Sequence, residues 1–224
     1  DIIIRGSGDP TLSEYFHEIP LDIIDDWVRK LDSIGIRSIR GNIIGDDNFF
    51  DDIYYALGWA WDDMIYPYSA QVNALSILDN NVDITVRPGD SIGYISKIRV
   101  NPDCNYVRIL NNVFTGEINE PTSIDAVREL TTNIIEINGT IAYDTTGKPK
   151  PETMPVTIDN PTKYFLSIFR NSLENQKIRF RGAIFDIDEW NDVVNYKEME
   201  PVGSYTSPKL SEIISVINKE SHNL

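Results

Sequence analysis

The sequence predicts an α/β (α+β) protein, a split α/β domain interrupted by a small antiparallel β module. Three observations carry this expectation. Strand, helix and strand patterns alternate over residues 1–44, the hydrophobic period drops to two from Val82, and helix-then-strand patterning returns over residues 160–187.

Residues 1–5 are a short apolar run that reads as a buried strand, closed by the breakers Gly6-Ser7-Gly8-Asp9-Pro10-Thr11. From Pro20 to Leu31 the apolar residues fall at 23, 24, 27, 28 and 31, which is helical spacing, and Gly35 stops the run. Residues 36–44 read as the next strand. Residues 48–73 show no regular period. They interleave Tyr54, Tyr55, Trp59, Trp61, Tyr66 and Tyr68 with Asp51, Asp52, Asp62 and Asp63. Such a stretch is either a binding loop carried on a scaffold or a loop whose aromatic rings fill a gap, and composition leaves both open.

Strict alternation over 82–87, a turn at Pro88-Gly89-Asp90, and further strand patterns at 97–102, 106–111 and 133–143 give the β module. Residues 144–151 are rich in turn formers and proline and read as a boundary. Pro161 suits a first helical turn, and Tyr164, Phe165, Ile168, Phe169 and Leu173 mark the face of that helix. A strand follows over 178–187 and an extended connector over 191–206. A last helix is expected with Ser207 as N-cap, Pro208 in its first turn, and Leu210, Ile213, Ile214 and Ile217 on one stripe. The expected domains are therefore 1–78 with 152–200 for the α/β part, 79–151 for the β module, and 201–224 for a helix of separate character.

The chain has 224 residues and a net charge of −15. That charge argues against nucleic acid, whose phosphates need clustered Lys and Arg, and against an anionic membrane surface. No apolar run reaches the roughly 18 residues needed to span a bilayer. One cysteine, Cys104, rules out an internal disulfide framework, and two histidines make a His-rich metal site a poor fit. No metal and no cofactor is expected. Both ends read as cuts: the chain opens on Asp1 directly into Ile2-Ile3-Ile4, and it stops just after a helical pattern. A segment of a longer protein is expected.

The doublets Asp46-Asp47, Asp51-Asp52 and Asp62-Asp63 are not catalytic pairs, because neighbours on an extended chain point to opposite faces. Residues 46–51 lack the alternate oxygen ligands and central glycine of a calcium loop, so solvated surface is expected there. Thr146-Gly147-Lys148 lacks the upstream glycine of a phosphate loop. His17 has no nucleophilic or acidic neighbour in a known motif, and Cys104 reads as an inert thiol.

Ser221-His222-Asn223, a Ser-x-Asn just after an amphipathic helix, stands apart because of what flanks it. Asp1-Ile2-Ile3-Ile4-Arg5-Gly6-Ser7-Gly8-Asp9-Pro10-Thr11-Leu12 resembles the "GDLyirGgGDPtL" segment of the S13 family of D-alanyl-D-alanine carboxypeptidases, penicillin-binding proteins of the PBP4 type. Residues 39–46 resemble that family's "i.Gdl..D" strand, and Gly58-Trp59-Ala60-Trp61-Asp62-Asp63-Met64 its "PGWpWnDm" segment. Residues 207–214 with 218–223 are similar to its "SppLseil..mnkkSdN" segment, and all four matches keep the family's order.

The resemblance implies a penicillin-recognising transpeptidase domain that carries Ser-x-x-Lys, Ser-x-Asn and Lys-Thr-Gly, with accessory domains inserted between the first two motifs. This chain would be those insertions plus a C-terminal helix of the transpeptidase domain. Neither Ser-x-x-Lys nor Lys-Thr-Gly occurs in it, so the segment alone is expected to be inactive. By the same resemblance, Ser221 relays a proton to the leaving group and Asn223 holds the substrate amide, against the simpler role of closing a helix. Asp63 and Tyr68 face the far end of the stem peptide, where a carboxylate binds a free amino group, against the simpler role of an exposed loop acid. Tyr68 stands where the family has Phe.

The implied ligands are peptidoglycan stem peptides and β-lactams, met jointly with the catalytic domain. The implied location is the periplasm or cell surface, while membrane association is left open. A non-catalytic module that binds wall peptide or protein, and a homologue that has lost its nucleophile, are the competing readings.

Overall fold

The computed structural model describes residues 1–143 and 146–223. Asp144 and Thr145, which open the expected boundary, and Leu224 lie outside the described residues. In chain order the elements begin with β1 (Ile2–Arg5), α1 (Leu21–Ser33), β2 (Ser38–Ile39) and β3 (Ile43–Asp46). Then come β4 (Asn81–Arg87), β5 (Lys97–Asn101), β6 (Arg108–Thr115), β7 (Ser123–Arg128), β8 (Ile134–Ile141) and β9 (Glu152–Thr157). The chain finishes with α2 (Pro161–Asn175), β10 (Arg179–Phe180), β11 (Ile184–Asp186) and α3 (Leu210–Glu220). This is the mixed α+β class expected. The elements fall into two compact units, one of residues 1–57, 71–80 and 160–223, the other of residues 58–70 and 81–159.

In the first unit β1, β3 and β11 form a parallel sheet with β3 in the centre, pairing Ile2 with Ile43 and Ile184 with Ile43. Parallel neighbours need a crossover, and α1 supplies it between β1 and β3. The expected strand over 36–44 is two strands. β2 pairs in parallel with β10, and the chain then steps across Arg40-Gly41-Asn42 into β3. The segment between β10 and β11 steps at the same level, where Gly182 lies so close to Gly41 that a Cβ there would sit 2.0 Å from the Gly41 carbonyl oxygen. The break is thus a close backbone crossing that hydrophobic pattern alone does not reveal.

α1 buries Ile24, Val28 and Leu31, one stripe at helical spacing. α2 is capped by Asn160, whose side chain accepts from the Lys163 N–H at 2.7 Å, with Pro161 in the first turn as expected. All five residues of its expected face are buried, and Phe165 stacks against Trp27 of α1 with ring centroids 6.2 Å apart. α2 approaches β3 closely at Gly45, where a Cβ would stand 2.4 Å from the Thr162 methyl.

α3 corrects the expected start. Its first turn begins at Leu210 after Lys209, whose backbone is extended (φ −62°, ψ 143°), and no side chain caps it. The first helical bonds accept at the Lys209 carbonyl, so Ser207 and Pro208 stay in the extended connector. Of the expected stripe only Ile213 is buried, while Leu210 and Ile214 are exposed.

The second unit holds two three-stranded sheets, β5-β4-β9 and β6-β8-β7. Three of their ladders are antiparallel, and β6 runs parallel to β8. Val82, Ile84 and Val86 of β4 face inward by strict alternation, and Ile135, Ile137 and Ile141 do so from β8. Two strands have no counterpart in the sequence pattern. β9 contains Pro155, which demotes a strand pattern but is tolerated because β9 is an edge strand. β7 is also an edge strand, half-exposed along most of its length.

Cys104 is buried, and burial pushes its thiol up from 9.0 to about 11. At neutral pH it therefore carries roughly 100-fold less thiolate than an ordinary cysteine. A thiol reagent at pH 8 is expected to label Cys104 slowly in the native chain and rapidly in denaturant. Equal rates would contradict its burial.

Candidate functional site

The four residues singled out from the sequence fall into two places. Asp63 and Tyr68 belong to the 58–70 segment of the second unit. The Tyr68 hydroxyl donates to Asp63 Oδ1 at 2.7 Å, and this bond is the chief cause that raises the phenol to about 12. The Tyr68 ring stacks against both Trp59 (centroids 5.9 Å apart) and Tyr66 (5.5 Å). Asp63 is half-buried and Tyr68 is exposed, so a carboxylate and an aromatic face are presented together. The rings are stacked on one another, with Trp59 half-buried and Tyr66 and Tyr68 exposed.

The segment is held from below by its own backbone carbonyls. The Met64 carbonyl accepts from Thr157 Oγ1 of β9 and from Arg128 Nη2 at 3.1 Å. Arg128 Nη1 donates to the Thr132 carbonyl at 3.1 Å, and its buried guanidinium stands 3.9 Å from Asp159. The Asp63 carbonyl itself accepts from Ser69 Oγ. Arg128, which nothing in the sequence marks, thus fixes the residue next to Asp63.

Ser221 and Asn223 are exposed at the end of α3 in the first unit. Ser221 is the C-cap, in the left-handed region at φ 53°, and its N–H bonds to the Ile217 carbonyl. Among the described residues its hydroxyl has no hydrogen-bond partner. His222 turns the other way. Its Nε2 lies 2.9 Å from Asp79 Oδ1, and its ring meets Tyr15 edge-on at 4.9 Å. The middle residue of the tripeptide therefore anchors the turn and leaves its two neighbours outward. His17 pairs with Tyr205 Oη at 2.7 Å, a packing histidine as expected.

The acidic doublets divide. Asp51, Asp52 and Asp62 are exposed as expected. Asp46 and Asp47 correct the expectation of solvated surface, at 5% and 4% exposure. They sit at the carboxyl end of β3, where partners from distant parts of the chain replace water. Asp46 accepts from Tyr196 and lies 3.5 Å from Arg5, while Asp47 accepts from Asn73 Nδ2 at 2.7 Å and Thr162 Oγ1 at 2.5 Å. Asp47 gathers with Asp186 and Asp188, their carboxylate oxygens all within 4.8 Å of one another. Burial, with Asp47 close by, pushes Asp186 up to about 6 against the opposing bond from Asn160. Sequence pattern does not reveal this cluster, because its members come from the ends of two strands that lie about 140 positions apart in the chain.

The model of the D-Ala-D-Ala carboxypeptidase 3 (S13) family matches residues 1–224. The D-alanyl-D-alanine carboxypeptidase of Actinomadura sp. (strain R39) is 27% identical over 229 residues, covering 100% of this chain and 40% of that protein. The D-alanyl-D-alanine carboxypeptidase DacB of Haemophilus influenzae is 25% identical over 191 residues, covering 82% of this chain and 36% of that protein. The crystal structure of penicillin binding protein 4 from Haemophilus influenzae matches with a TM-score of 0.63 at 22% identity, over 85% of this chain and 40% of that one. A second structure of that protein, complexed with a β-lactam, matches with a TM-score of 0.55 at 20% identity, over 82% of this chain and 36% of that one. The chain thus spans about 40% of the length of the curated relatives it matches.

Proposed function

The chain belongs to the D-Ala-D-Ala carboxypeptidase 3 (S13) family, and on that premise we propose that it is the accessory part of a serine carboxypeptidase or endopeptidase of peptidoglycan, together with the helix that carries Ser-x-Asn. Residues 201–224 would belong to the transpeptidase domain, and the nucleophilic serine, its lysine and Lys-Thr-Gly would come from outside these residues. In the reaction a serine oxygen attacks the carbonyl of the penultimate D-Ala and the terminal D-Ala leaves as the amine. Water then hydrolyses the ester. Ser221 passes the proton that the departing nitrogen needs, and Asn223 holds the substrate amide. The observation that carries this reading is the outward pair Ser221 and Asn223, set by a left-handed turn that His222 and Asp79 lock. The periplasm or cell surface is the setting such a substrate requires.

The complete protein should take up a fluorescent penicillin covalently. The relative solved with a β-lactam bound supports that expectation. A complete protein that binds stem peptide but never acylates would favour the non-catalytic binding module instead.

Asp63 supplies specificity in this reading. Its carboxylate, with Tyr68 beside it, receives the free amino group of a diaminopimelate side chain through a charge-assisted bond, a contribution of about 1.5–3 kcal/mol. Asp63→Ala in the complete protein should lower kcat/KM on diaminopimelate peptides by about 10- to 100-fold. Turnover of a simple D-Ala-D-Ala substrate should stay unchanged, and equal loss on both substrates would remove the role.

A further inference from the structure

The carboxyl ends of β3 and β11 hold the largest concentration of buried negative charge that the proposed reaction leaves unused. Gly45 pairs with Asp186 in the parallel register, and Asp47 and Asp188 each lie two positions beyond that pair. Asp47, Asp186 and Asp188 bring carboxylate oxygens within 4.8 Å of one another. Among the described residues no Lys or Arg pairs with any of the three.

A cluster of acids is common on protein surfaces, but this one carries a second feature. Asp47 is 4% exposed, and its two oxygens differ. Oδ2 accepts from Asn73 and Thr162, while Oδ1 is buried with no hydrogen-bond partner. A buried carboxylate oxygen without a donor costs several kcal/mol unless a cation completes it. Asp186 Oδ2 is held by Asn160 Nδ2 at 2.9 Å, so two of the three carboxylates are fixed in place by neutral donors. Those donors orient the acids without cancelling their charge, as partners of metal ligands do. Asp188 is exposed, with the Asp52 side chain in contact with it.

We propose that Asp47, Asp186 and Asp188 bind a hard divalent cation, Ca2+, which ties the ends of β3 and β11 together. Only oxygen ligands are offered, which suits a hard cation. Ca2+ accepts irregular oxygen sets, whereas Mg2+ demands a near-octahedral cage, so carboxylates fixed by their own strands and by neutral donors suit the more permissive ion. The site is structural, and it stands whether or not the proposed peptidase role holds.

The test is a thermal unfolding series on the chain after treatment with chelator, with Ca2+ or Mg2+ added back alone. Saturating Ca2+ should raise Tm by about 2–8 °C, and Mg2+ should raise it less. Asp188→Asn changes an exposed residue and keeps the fold, and it should weaken Ca2+ binding at least about 10-fold by calorimetry. Asp51→Asn, outside the cluster, should bind as the parent does. No Ca2+-dependent shift overturns the proposal, as does an Asp188→Asn variant with unchanged affinity. A larger shift with Mg2+ than with Ca2+ overturns the choice of ion.

Discussion

Ser221→Ala in the complete protein is expected to slow acylation by a β-lactam by about 100- to 10,000-fold, the range for losing a positioned proton-transfer group. The fold should be untouched. Ser221 is exposed, and what holds its turn is the backbone bond to Ile217 and the contact between His222 and Asp79. Stopped-flow acylation with a chromogenic cephalosporin measures the rate, and unchanged Tm confirms the fold. A variant that acylates at the parental rate would reduce Ser221 to a helix terminus. Ser221→Gly is a useful companion, because glycine favours the left-handed conformation at φ 53° yet removes the hydroxyl. It should be as slow as the alanine variant if chemistry is what matters.

The largest expected effect on stability is at Phe165. The side chain is fully buried in α2 and stacks on Trp27 of α1, so it joins the two helices of the first unit. Phe165→Ala should destabilise that unit by about 3–5 kcal/mol, since the removed ring leaves a cavity that close-packed neighbours cannot fill. Urea unfolding read through tryptophan emission gives the value. Leu210→Ala, on the exposed side of α3 at 69% exposure, should change stability by less than about 0.5 kcal/mol. A comparable loss at both positions would mean that α3 packs more tightly than its exposure indicates.

Sequence pattern located what local periodicity determines. The stripe on α1, the five-residue face of α2 and the alternation of β4 are all buried as expected, because each follows from helix or strand geometry within one segment. Failures arose where the deciding partner is remote. Asp46 and Asp47 look like a solvated doublet until Tyr196, Arg5, Asn73 and Thr162 arrive from elsewhere to replace water. The break between β2 and β3 depends on Gly182, far along the chain. β9 hides behind Pro155, whose missing N–H matters only if the strand is central, and edge position is not written in one segment. Ser207 has the chemistry of a cap, yet the backbone is still extended at Lys209 and the helix starts after it. Among the candidate site residues, Asp63 and Tyr68 are named only through the family resemblance, and their mutual hydrogen bond and the support from Arg128 depend on the folded segment.

The rings of Trp59, Tyr66 and Tyr68 have a thermodynamic consequence. Free side chains that become ordered on contact with a ligand lose rotamer entropy, about 0.5–1.5 kcal/mol for each. Here Tyr68 is already restrained, by two stacked rings and by the bond to Asp63, and Thr157 and Arg128 already hold the Met64 carbonyl beneath. The ordering loss is incurred when the second unit folds, so the peptide proposed to meet this surface would not bear it again. Binding there should accordingly show a small entropic penalty by calorimetry, with an enthalpy set by the Asp63 carboxylate rather than by reorganisation of the loop.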